Sequence, residues 1–199
     1  MGARETILNA VTANKPALID LPDIDISVSV RYQDVVGKFT SMVDAAGGKA
    51  FYQHSTDTVR KDITREDLPE NFVINLLDQP DSRDWASLRA ADLSTLDTCY
   101  LQAQLGVAEN GAMWVSEAQM SNRLLPFICQ HLVIVVNSSN IVNNMHEAYQ
   151  KINTLSDGFG VFIAGPSKTA DIEQNLVIGA HGARTLRVYL IDDKIFNET

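Results

Sequence analysis

A chain of 199 residues, 45% hydrophobic and 21% charged, has the length of one globular domain with a small extension and an ordinary water-soluble composition. Its formal net charge of −9, with no run of Lys and Arg, argues against a nucleic-acid partner, which calls for a basic face. The longest strongly apolar run, LVIVV, is too short to cross a bilayer.

Two cysteines, Cys99 and Cys129, form no CxxC pair, so no cysteine-held zinc or iron–sulfur cluster is expected within the chain, and buried free thiols are. His54 and His131 belong to no HxH or HExxH spacing, so neither a metal site nor a cofactor is expected. The start of the chain lacks a secretory apolar region, which makes the cytoplasm the expected location. Gly2 with Thr6 fits a loose myristoylation pattern, and Asn137 and Asn197 fit glycosylation sequons; patterns this short arise by chance.

Residues 1–14 have the spacing of a short helix with Ile7, Leu8 and Val11 on one side. NKPALIDLPDID then reads as an irregular connection, so residues 1–30 are expected to be an extension and 31–199 the α/β domain. Tyr32, Val35, Val36, Phe39, Met42, Val43 and Ala46 recur at helical spacing, and Gly47-Gly48 ends that helix. KAFYQ is an expected strand, followed by a polar helical stretch holding Val59 and Ile63, then the strand NFVINLL. CYLQAQLGVAENGAMWVS reads as β-structure with Asn110-Gly111 as a hairpin signal. Met113 and Trp114 in it are expected to pack rather than bind.

NRLLPFI reads as a short helix, HLVIVV as a buried strand, and Ile141 to Leu155 as a helix with His146 near the edge of its apolar stripe. FGVFIAG and TLRVYLI are the last expected strands. Continuous apolar strands alternating with amphipathic helices predict an α/β fold, a three-layer sandwich with a mostly parallel sheet.

Polar chemistry collects in GPSKTADIEQNLVIGAHG, between those last two strands. Gly165 and Pro166 turn the chain, and Ser167 or Thr169 is placed to cap a helix from about Ala170, with Asp171 and Glu173 in its first turn. The same helix start, with Lys168, suits a small anion at the carboxyl end of a parallel strand. His181, between Gly179-Ala180 and Gly182, reads either as a general acid/base or as a loop histidine bonded to a nearby acceptor. Glu109, before the hairpin dipeptide, reads either as an exposed strand-end residue or as a nucleophile or base on a tight turn.

The stretch GPSKTADIEQNLVIGAHGARTLRVYLI resembles the C-terminal signature of the LUD-domain family, which includes the lactate-utilisation protein C (YkgG-like) proteins. GVAENGAMWVSE and NRLLPFICQHLVIVVNSSNIVNNMHEAY resemble two further segments of that family, so the likeness runs over residues 97–191. Three positions depart from the pattern: Asn110-Gly111 follows Glu109 in place of Thr-Gly, Ala183 replaces a usual Pro, and Arg187 a common His.

The resemblance implies a fold like that of the NagB, ribose-phosphate isomerase and CoA-transferase group. It also implies an accessory role in oxidising L-lactate to pyruvate beside iron–sulfur partner proteins, with a ligand or partner surface of Gly165, Ser167, Lys168, Thr169, Asp171, Glu173, His181 and Gly182 together with Glu109. The alternative is a stand-alone acyl or CoA transferase, or a sugar-phosphate isomerase-like enzyme, using Glu109. A third reading is a remnant of the fold that holds no ligand.

Overall fold

The fold comes from a computed structural model that describes residues 2–17, 19, 24–53, 55, 57–59, 61, 72–77, 84–152, 158–172 and 175–192. Helix α1 (Ala3–Ala13) opens the chain with every residue exposed, including Ile7, Leu8 and Val11. After a 3-10 turn at Ile26–Val28 comes α2 (Val35–Ala45), where the Asp34 carboxylate caps the start by accepting from Gly37 N–H at 2.8 Å. Its end is a Schellman turn: Gly47 N–H donates to Asp44 O and Gly48 N–H to Val43 O, with Gly47 at φ 89°. Phe39 and Val43 carry the buried stripe of α2. Residues 57–59 and 61 are helical and Val59 is buried; Ile63, His54 and Asn197 lie outside the described residues.

The strands in chain order are β1 (Lys49–Gln53), β2 (Phe72–Asn75), β3 (Leu96–Gln102), β4 (Leu105–Val107), β5 (Ala112–Ser116), β6 (His131–Asn137), β7 (Ile141–Val142), β8 (Gly160–Ile163), β9 (Lys168–Ile172), β10 (Asn175–Ile178) and β11 (Thr185–Ile191). Two short helices, α3 (Glu117–Met120) and α4 (Leu125–Ile128), lie between β5 and β6, and α5 (Met145–Lys151) follows β7.

Strands β1, β11, β6, β3 and β2, in that spatial order, form a sheet in which all neighbours are parallel. Leu132 to Val136 of the central strand are at most 2% exposed, as a strand covered on both faces must be. Alternation splits them: Leu132, Ile134 and Val136 join Leu101, Val188 and Leu190 in the main core, while Val133 and Val135 join Tyr100, Tyr189 and Ile191 on the opposite face. Each such buried side chain contributes about 1.5–3 kcal/mol relative to an exposed one. The chain is therefore a mixed α/β protein built on a parallel sheet.

A second sheet, ordered β7-β4-β5-β8, covers the main core. Met113 and Val115 of β5 point into that core, and Trp114 points the other way into a cluster with Leu105, Val107, Phe162 and Ala148 of α5. Met113 and Trp114 are thus packing residues.

Three expectations need correction. Strand β8 lies in this second sheet, antiparallel to β5, so the signature does not leave the carboxyl end of a parallel strand. A short apolar run reads the same for either sheet, and only the pairing partner tells them apart. No helix begins near Ala170: residues 168–172 are β9, paired antiparallel with β10 in a two-stranded ribbon. Ser167 has its N–H on Ala183 O and its carbonyl on Gly179 N–H, so the ribbon's base is closed by backbone bonds where a helix cap was expected. The helix expected from Ile141 starts at Met145, because Ile141–Val142 pairs with β4 and Asn144 is its N-cap; Leu155 lies outside the described residues.

Candidate functional site

The signature stretch closes on itself. Besides the two Ser167 backbone bonds, of 2.9 and 3.0 Å, a Cβ on Gly182 would stand 3.1 Å from Ser167 Cβ. Gly165, at φ 70°, turns the chain so close to α2 that a Cβ there would lie 2.4 Å from Ala46 O. The Lys168 ammonium donates to that same Ala46 carbonyl at 2.6 Å. It therefore sits at the carboxyl end of α2, where a cation meets the helix dipole favourably. His181 is exposed beside half-buried Gly182, and Thr169 pairs with Val177 across the ribbon. Asp171 belongs to β9 by its backbone, and Glu173 lies outside the described residues. Gly165, Ser167, Lys168 and Gly182 are thereby brought together at one end of α2.

Glu109 is built into a different corner. Residues 108–111 form a four-residue hairpin loop between Val107 and its partner Ala112. Gly111 N–H closes the loop on Val107 O at 2.9 Å, while Ala108 N–H donates to Val142 O and Glu109 N–H to Asn143 O, which extends the pairing beside β7. Gly111, at φ 70°, presses against α2 with a virtual Cβ 2.8 Å from Val43 N. The Glu109 carboxylate accepts from Met145 N–H, the first residue of α5, at 2.8 Å. Among the described residues, no hydrogen bond or ion pair links Glu109 to the signature; the two share α2 as a common floor.

The start of α5 holds polar residues that the sequence reading passed over. Asn144, 2% exposed, accepts from Glu147 N–H and donates to Ser29 Oγ and Val30 O. Asn143 accepts from Tyr32 N–H through its side chain and donates its own N–H to Glu147 Oε2. Burial works to raise the Glu147 pKa. The Asn143 hydrogen bonds, with Arg31 and Lys151 nearby, outweigh it and hold the carboxyl below its ordinary value. The signal was present as Asn-x-x-Glu at the head of an apolar stripe, a capping pattern.

A further polar group sits at the carboxyl edge of the parallel sheet. Asp192 accepts from Tyr52 Oη at 2.5 and 2.6 Å and from Ser138 Oγ at 2.6 Å. The bond to Asp192 pushes the Tyr52 phenol up. His131 pairs its Nδ1 with Thr185 Oγ1 at 2.8 Å, and His146 is exposed. Among the described residues no group of three His, Cys, Asp or Glu is placed to hold a metal ion, and no helix is long and apolar enough to cross a membrane. Cys99 and Cys129 are free and buried.

A parallel five-stranded sheet capped by a second, mixed sheet defines an α/β protein whose most specific sequence feature is the closed loop on α2. The LUD domain profile matches residues 54–191, more than half of the chain, and the chain belongs to that family. Lactate utilization protein C of Bacillus pumilus (strain SAFR-032) is 31% identical over 131 residues, which cover 63% of this chain and 53% of that protein. Lactate utilization protein C of Shouchella clausii (strain KSM-K16) is 26% identical over 126 residues, covering 61% and 53%. The chain thus spans about half the length of the curated relatives it matches. A crystal structure of a DUF162 family protein from Deinococcus radiodurans has the same fold, with a TM-score of 0.62 over 82% of this chain and 99% of that one, at 15% identity.

Proposed function

We propose that this LUD-domain protein is an accessory component in the use of L-lactate, acting beside iron–sulfur proteins that take up the two electrons released as lactate is oxidised to pyruvate. The observations that carry the reading are the likeness to relatives named lactate utilization protein C and the LUD domain match, whose residues 54–191 include the whole closed loop. In this reading Ser167, Lys168, Thr169, His181 and Gly182 face a small anion or the partner surface. His181 is exposed and offers an imidazole hydrogen bond, and the Lys168 charge lies at the base of the loop. Copurification from lactate-grown cells tests it: an iron–sulfur protein recovered with the tagged chain supports the role, and recovery of no redox protein counts against it.

A transferase using Glu109 is the less favoured reading. A nucleophilic carboxylate has to reach substrate, and this one holds the first N–H of α5 at 2.8 Å. Acyl-transfer activity lost in Glu109→Gln would restore that reading.

A further inference from the structure

We infer that residues 29–32 form a strap that fastens the N-terminal arm to the first turn of α5 and, through that turn, sets the carboxylate of Glu109. Three consecutive residues, Asn143, Asn144 and Met145, stand between strap and carboxylate. On the outer side, Asn144 Nδ2 donates to Ser29 Oγ at 3.0 Å and to Val30 O at 3.1 Å, and Asn143 Oδ1 accepts from Tyr32 N–H at 2.9 Å. On the inner side, Asn143 O accepts from Glu109 N–H at 3.1 Å and Met145 N–H donates to Glu109 Oε1 at 2.8 Å. Both faces of one short turn are thus committed, one to the arm and one to Glu109.

The strap is held by direction rather than by burial. Val28 and Val30 are 82% and 60% exposed, and α1, at the far end of the arm, buries nothing. Arg31 approaches Glu147 only to 4.0 Å with most of its side chain in water, which contributes little. Tyr32, by contrast, packs against the main core, so the chain hinges there and the segment before it is the part that lifts. Segments with few buried apolar contacts open at low free energy, ahead of the sheets. When this one opens, the buried Asn144 amide loses both acceptors, and the turn that orients Glu109 keeps only the Tyr32 N–H bond to Asn143 as outer support. Ser29 and Asn144 are accordingly positioning residues for Glu109.

Hydrogen exchange on the full chain tests this with Ser29→Ala, which removes one acceptor of Asn144 together with the hydroxyl's own 2.7 Å bond to Ile26 O. Ser27→Ala is the control, because the Ser27 hydroxyl bonds the Asp25 carboxylate within its own turn at 2.6 Å. In Ser29→Ala, amides in 24–34, in 106–112 and in 143–150 are expected to exchange several-fold faster, while those in 131–137 and 185–191 keep their rates. The carboxyl carbon resonance of Glu109 is expected to move in Ser29→Ala and to stay in place in Ser27→Ala. Faster exchange confined to 24–34, equal acceleration in β6 and β11, or no change at all would overturn the inference.

Discussion

The Lys168 ammonium donates a 2.6 Å hydrogen bond to the carbonyl of Ala46, joining the signature loop to the end of a helix 122 residues earlier. That bond satisfies one of the carbonyls a helix end leaves open and places a cation at the negative pole. Lys168→Met is expected to cost about 0.5–1 kcal/mol, lowering the melting temperature by about 2–4 °C per kcal/mol. Differential scanning calorimetry measures it.

Gly165 and Gly182 bound the same loop but differ in what a side chain would meet. At Gly165, φ is 70° and a Cβ would lie 2.4 Å from backbone oxygen of Ala46; at Gly182 the nearest atom is Ser167 Cβ, 3.1 Å away. Gly165→Ala should cost about 1–3 kcal/mol or more, from the strained backbone and the clash together. Gly182→Ala should cost distinctly less. Equal losses in denaturant titrations of the two variants would contradict this geometry.

Glu109 offers a test of its structural role. Glu109→Gln keeps an oxygen for Met145 N–H and is expected to melt close to the parent. Glu109→Ala leaves the first N–H of α5 without its acceptor and should cost about 1–2 kcal/mol. Urea unfolding of both variants separates the outcomes.

The two thiols are predicted to be inert in the folded protein. Burial pushes the Cys99 thiol well above its ordinary value and Cys129 up to about 12, and the thiolate is the reactive form. At neutral pH a disulfide reagent should titrate neither until the protein unfolds, after which both react. Rapid modification under native conditions would show that the core around them opens.

Acid should loosen the start of α5. The Glu147 carboxyl has a depressed folded pKa, so its stabilising contribution is present above the unfolded value, about 4.3, and is lost as pH falls through the folded one. Exchange of amides in 143–150 should therefore rise below about pH 4, and Glu147→Gln should flatten that dependence.

Much of the fold is legible in the sequence, for physical reasons. The run from Leu132 to Val136 is apolar without interruption because β6 is covered on both faces, and Gly47-Gly48 marks the end of α2 because the Schellman turn needs a positive φ. The second sheet is not legible, since β8 is four residues long and its pairing with β5 depends on contacts far along the chain. One hint was there: a Cβ on Gly160 would lie 2.2 Å from Trp114 Cζ2, so the glycine marks where the indole crosses β8. The signature is recognisable as a motif yet reads as a helix start, because Ser, Thr, Asp and Glu near a turn favour caps whether or not a helix follows. The fastening at Asn143 and Asn144 joins residues more than 100 positions apart, and local pattern carries no such information.

Growth on L-lactate as sole carbon source, after deletion of the gene from its host, tests the proposed role in lactate use. The deletion strain is expected to fail on L-lactate, to grow on pyruvate, and to recover on L-lactate when the gene is returned. Undiminished growth of the deletion strain on L-lactate would contradict it.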